Sequence, residues 1–133
     1  IQNQLKNVGI DLQIKSLDWG TFFRDIQAGN FQLYTLTWVG ITNPNIYFKI
    51  FSSAQLSPLG LNRGKYSDGN MDRILSEAID TNDWNKVILK SYKDIGLIPL
   101  WHEGSFVAFR KNISEYKLKL DGSWSGLNGT KKK

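Results

Sequence analysis

Apolar positions recur along the chain with two different periods, and each change of period marks a new element. Ile1, Leu5 and Val8 fall on one helical face and Gly9 is a natural stop, so residues 1–8 read as the end of an amphipathic helix. Ile10, Leu12 and Ile14 then alternate with polar residues, which predicts a strand. Asp18 is placed to cap a helix over 19–28, with Phe22, Phe23 and Ile26 as its buried stripe and Gly29 as its end. Residues 31–39 (FQLYTLTWV) are apolar on both faces, the pattern of a strand inside a covered sheet.

Asn43 before Pro44 predicts a short helix over 44–51. A long connection follows at 52–65, punctuated by Pro58, Gly60 and Gly64, and connections of this length tend to be functional or mobile. Ser67 or Asp68 caps the next helix. Its stripe is Met71, Ile74, Leu75, Ala78 and Ile79. The pattern repeats in a helix carrying Trp84, Val87, Ile88, Ser91, Tyr92 and Ile95. Residues 97–101 and 105–110 read as two strands around a polar turn at His102, Glu103 and Gly104. Beyond about residue 118 the chain is rich in Gly, Ser and Lys, without periodicity.

Helices and strands alternate early, and two strands follow two helices late. This order predicts an α/β fold, α+β at its C-terminal end, with helices covering one mixed sheet. A chain of 133 residues is one domain's worth, 41% of it hydrophobic and 13% aromatic, enough for a real core. The organisation expected is a folded unit over 1–118 and a tail over 119–133.

Charge and chemistry then narrow the function. The net charge is +5, but Lys131, Lys132 and Lys133 supply three of it. The rest carries 14 basic and 12 acidic residues, a net +2. That is too little for a nucleic-acid partner, and the lysine run reads as a solvated tail. With no cysteine there is no disulfide, thiolate metal site or Cys nucleophile. The single histidine, His102, begins HEGSF, which lacks the second histidine of a zinc-protease helix. Asp68, Asn70 and Asp72 open like a calcium loop, but Arg73 stands where that loop needs Gly and Ile79 where it needs Glu. No phosphate-binding glycine loop or nucleophile elbow is present. The reading is therefore a binding protein and not an enzyme, with no catalytic set, no metal and no cofactor.

Ligands of α/β proteins collect beyond the carboxyl ends of strands. Here that place holds Trp38, Gly40, Ile41, Thr42 and Asn43: a flat face, a close backbone and hydrogen-bonding groups. Asn62 and Arg63 in the long loop are candidates for its rim. Trp38 as plain core and Arg63 as a solvated charge are the structural alternatives.

Four segments in order resemble the C-terminal part of family 5 solute-binding proteins, the oligopeptide, dipeptide and nickel receptors of ABC importers. They are QNQLKNVGIDLQIKSLDWGTFFRDIQAGNFQLYTLTWVG (2–40), NPNIYFKIFSS (43–53), LNRGKYSDGNMDRILSEA (61–78) and IGLIPLWHEGSFVAFRKNISEY (95–116). The resemblance implies part of one lobe of a two-lobed, periplasmic-binding-protein-like fold that closes on its ligand. It implies capture of a peptide or similar small solute outside the cytoplasmic membrane, periplasmic or at the cell surface, for a membrane permease. A start at Ile1 inside a helix then reads as a piece of a longer parent chain. An isolated piece with an uncovered apolar patch invites a homodimer.

In peptide binders of the family, an acidic residue shortly after the Trp commonly pairs with the ligand's α-amino group. The matching position here is Ile41, and the acidic residue before the family's Pro is Asn43. The departure leaves room for an uncharged, anionic or blocked ligand. It equally allows a degenerate lobe that serves as a non-transport interaction or structural domain.

Overall fold

The computed structural model describes residues 1–102, 104, 106–119 and 122–132. The elements in order are α1 (Gln2–Lys6), α2 (Trp19–Ala28), α3 (Ile46–Phe51), a 3₁₀ turn at Ser53–Gln55, α4 (Gly69–Thr81), α5 (Asn85–Asp94), β1 (Ile113–Ser114), a second 3₁₀ turn at Trp124–Leu127, and β2 (Lys131–Lys132).

The longer helices form where their capping chemistry is local. The Asp18 carboxylate accepts the Thr21 backbone N–H at 3.1 Å and so satisfies one free donor at the start of α2. Gly29 ends α2 with φ +83°, a left-handed turn that a side chain would strain. Asp68 does the same for α4, accepting from Met71 N–H at 2.7 Å. The short α3 departs from expectation. It starts at Ile46 and not at Pro44, because the Asn43 side chain folds back to accept from the Asn45 N–H at 3.0 Å and makes a turn of residues 43–45.

The core lies between α3, α4 and α5. Phe51, Met71, Ile74, Leu75, Ala78, Trp84 and Val87 are buried together, with Tyr47, Phe48, Ile50, Tyr66 and Ile88 packed against them. The stripe of α4 is narrower than its sequence suggests: Ile79 is 49% exposed. In α5, Val87 and Ser91 are buried, whereas Tyr92 and Ile95 face solvent. Residues after α5 turn back onto the core, since a Cβ on Gly96 would lie 3.1 Å from the Tyr66 ring and 3.2 Å from that of Phe51.

The expected mixed sheet is not formed among the described residues. Segments 10–14, 31–39 and 97–101 run without ladder partners, as do the described residues of 105–110. The polar turn proposed at Glu103 and the strand start at Ser105 lie outside the described residues. Alternation sets which face a residue points to, but a strand also needs a neighbour to accept its backbone bonds. Segment 31–39 shows the consequence. Phe31, Tyr34, Leu36 and Trp38 are half-buried, while Leu33 and Val39 are 72% and 78% exposed. The face of Tyr34, Leu36 and Trp38 is partly covered, and the opposite face is covered only at Phe31.

The only sheet among the described residues is the short antiparallel pair of β1 and β2, with Ile113 opposite Lys132 and Ser114 opposite Lys131. Two of the three terminal lysines are thereby tied to the chain, and Lys131 pairs with Glu115 at 2.9 Å. Lys133 lies outside the described residues. Among the described residues, no helix is long and apolar enough to cross a membrane.

Candidate ligand-binding site

The connection at 52–65 is a compact knot, and it positions a charged side chain against Trp38. Its first turn is anchored from α4: the Asp72 carboxylate accepts the Ser53 N–H at 2.9 Å and the Ser53 hydroxyl at 2.6 Å. Backbone bonds from Asn62 N to Gln55 O (2.7 Å) and from Ser57 N to Asn62 O (3.2 Å) cross the loop. Gly60 allows this approach, because a Cβ there would sit 2.3 Å from the Gln55 carbonyl oxygen. At the centre Asn62 is fully buried. Its amide nitrogen donates to Ser52 O (3.0 Å) and Tyr66 O (2.7 Å), and its amide oxygen accepts from Tyr66 N (3.1 Å). This amide closes the loop on itself.

Arg63 follows Asn62 directly and turns toward α2 and the 31–39 segment. Its guanidinium carbon lies 4.9 Å from the Trp38 ring centroid and 5.2 Å from that of Phe23. Both distances are within cation–π range. Tyr34 is also near enough to feel the charge. Burial pushes its phenol above the ordinary value, and Arg63 acts in the opposite sense. Phe31 packs edge-on against Tyr34 at 4.7 Å. The knot is fastened to α2 by Lys65 Nζ, which donates to the Ala28 carbonyl at 2.7 Å near the helix's negative end.

The site residues expected from the sequence thus divide. Trp38 and Arg63 come together, both half-buried. Asn62 is interior and holds the loop. Gly40 takes a left-handed backbone (φ +72°), and Ile41 is 51% exposed. Thr42 and Asn43 are exposed, and the Asn43 side chain is engaged in its own turn. Phe23 and Tyr34 join the cluster although the sequence did not single them out. Phe23 reads there as core stripe, and Tyr34 as one of several apolar positions in a strand. The alternation of 31–39 does place Tyr34 on the same face as Trp38.

Other polar clusters are already internally neutralised. Lys90 bridges Asp94 (2.8 Å) and Asp68 (3.3 Å), and the Tyr66 hydroxyl donates to Asp94. Lys90, with help from the Tyr66 hydroxyl, holds the Asp94 carboxyl below its usual range. The Met71 N–H, then Lys90, does so for Asp68. Asp94, then Asp68, raises Lys90. Burial, reinforced by the bond to Asp94, pushes Tyr66 up to about 12. This clasp ties the start of α4 to the end of α5. Asp68 and Asp72 are likewise occupied as a helix cap and a loop anchor, and no group of three metal-binding side chains occurs among the described residues. His102 is exposed. A cavity of about 400 Å³ lined by Glu115, Tyr116, Lys117, Asn128 and Gly129 shares no residue with the Trp38 cluster.

No family model and no solved structure matches the chain. Curated relatives do. Di/tripeptide-binding protein 2 of Pseudomonas aeruginosa (strain UCBPP-PA14) is 27% identical over 127 residues, covering 89% of this chain and 24% of that protein. Oligopeptide-binding protein AppA of Bacillus subtilis (strain 168) is 25% identical over 126 residues, 88% of this chain and 23% of that protein. Periplasmic murein peptide-binding protein MppA of Escherichia coli (strain K12) is 26% identical over 78 residues, 58% of this chain and 14% of that protein. The first two show that the chain spans about a quarter of the length of the curated relatives it matches. The matched stretch is the C-terminal part of those longer proteins, and the resemblance to family 5 peptide-binding proteins stands. These relatives are named as binding proteins.

Proposed function

We propose that this chain contributes to the substrate-binding component of an ABC importer, capturing a peptide or similar small solute outside the cytoplasmic membrane and presenting it to a permease. The observation that carries the reading is similarity, along nearly the whole chain, to proteins named for binding di-, tri- and oligopeptides. In that reading the chain is part of one lobe of a two-lobed receptor, and the ligand is held where Trp38 and Arg63 meet. The flat indole and the guanidinium provide apolar contact and orientation, and residues 40–43 form the adjoining rim. Hinge closure against a second lobe would complete the enclosure.

Tryptophan fluorescence during titration with pooled di- to pentapeptides, checked by calorimetry, tests the proposal. A saturable change that is lost in a folded Trp38→Ala variant supports it. Absence of both signal and heat with every pool rejects it in favour of a lobe retained as a structural or interaction domain.

A further inference from the structure

We propose that Arg63 receives a carboxylate of the ligand at this site, so that the site selects peptides through their acid group and not through their amine. The inference rests on the peptide-binding reading above and names what that site recognises. Among the described residues, the Arg63 side chain has ring contacts but no hydrogen bond and no ion pair to any acceptor. Other cations of the chain contrast with it: Arg73 and Lys86 meet Glu77, Lys90 meets Asp68 and Asp94, and Lys131 meets Glu115.

The geometry favours a planar anion. Contact with two aromatic rings holds the guanidinium in place without using its N–H donors, which stay available to a ligand. A carboxylate matches that edge with two parallel hydrogen bonds, the stronger, charge-assisted kind. The half-buried setting among Phe23, Tyr34 and Trp38 weakens solvent screening of the pair. The residues that follow Trp38 carry no competing acid: 40–43 are Gly, Ile, Thr and Asn. An ammonium group brought here would meet the Arg63 charge, and none of residues 39–43 carries an acid to offset it.

Tripeptide libraries in three end-group forms decide the matter by calorimetry on the same protein: free, N-acetylated and C-amidated. The N-acetylated form is expected to bind within about threefold of the free form, because no acid awaits the amine. Amidation is expected to weaken binding by about tenfold or more. In Arg63→Gln the free and amidated forms should become equal. Amidated libraries prepared with and without Asp and Glu assign the carboxylate to a side chain if only the acidic set keeps its affinity. Equal binding of free and amidated non-acidic peptides overturns this inference while the peptide-binding reading stands. Failure of every form to bind overturns both. The comparison among ligands needs no variant to fold, so it is decisive even if Arg63→Gln is unstable.

Discussion

Arg63 and Trp38 belong to separate segments, a loop and an extended stretch, yet the guanidinium carbon of one lies 4.9 Å from the ring centroid of the other. The contact joins the knot at 52–65 to the 31–39 segment, which has no ladder partner to hold it. A double-mutant cycle on Arg63→Ala and Trp38→Leu is expected to give a coupling of about 0.5–1 kcal/mol in urea unfolding. Additive effects would mean the two side chains are neighbours without attraction.

Asn62 makes three hydrogen bonds in a fully buried position. Asn62→Ala leaves the Tyr66 carbonyl and N–H without their partner, takes one of two donors from the Ser52 carbonyl, and should cost about 2–4 kcal/mol. Asn62→Asp should be no milder, because the donor facing Ser52 O and Tyr66 O becomes an acceptor. Denaturant midpoints measure both, and a loss below about 1 kcal/mol would show that water replaces the amide.

Asp72 holds the first turn of the same loop through Ser53. Asp72→Ala should destabilise by about 1–2 kcal/mol. Asp80, exposed on the same helix, serves as the control, and Asp80→Ala should stay within about 0.5 kcal/mol. A loss at Asp72 no larger than that at Asp80 would show that the Ser53 bonds do not anchor the loop.

The helical core gives a sharper contrast. Leu75 is fully buried and Ile79, one turn later, is 49% exposed. Leu75→Ala should cost about 2–5 kcal/mol, and Ile79→Ala under about 1 kcal/mol. Thermal and urea unfolding of the two variants measure both, and a reversed order would contradict this burial of α4.

The clasp of Tyr66, Asp68, Lys90 and Asp94 makes stability depend on pH at both ends. Asp68 and Asp94 have folded values below their unfolded ones. The stability they contribute is present above the unfolded carboxylate value, near 3.8, and is lost as pH falls through the folded values. Tyr66 and Lys90 are raised, so their contribution is complete below the unfolded values and disappears as pH rises. For Tyr66 that window runs from 10.0 to about 12. Urea midpoints against pH should fall in both directions, and Tyr66→Phe should flatten the alkaline arm while leaving an acid decline. An unchanged alkaline arm in that variant would remove Tyr66 from the account.

What the sequence by itself determined is local. Asp18 caps Thr21 and Asp68 caps Met71 because donor and acceptor are three residues apart, and a polar side chain reaches that far with no help from the rest of the fold. The stripe of Met71, Ile74, Leu75 and Ala78 likewise announced the buried side of α4. Trp38 and Arg63 were legible as candidates, one from its place at the end of an extended segment and one from the long loop. Only the tertiary structure decided that these two meet, that Phe23 joins them and that Asn62 lies inside the loop. Each of these outcomes depends on how the loop closes on its own backbone. The sheet marks the limit of pattern reading. Alternation in 31–39 correctly separates Tyr34 and Trp38 from Leu33 and Val39, but a hydrogen-bonded ladder is a property of two segments together. No pattern within one of them can supply its neighbour.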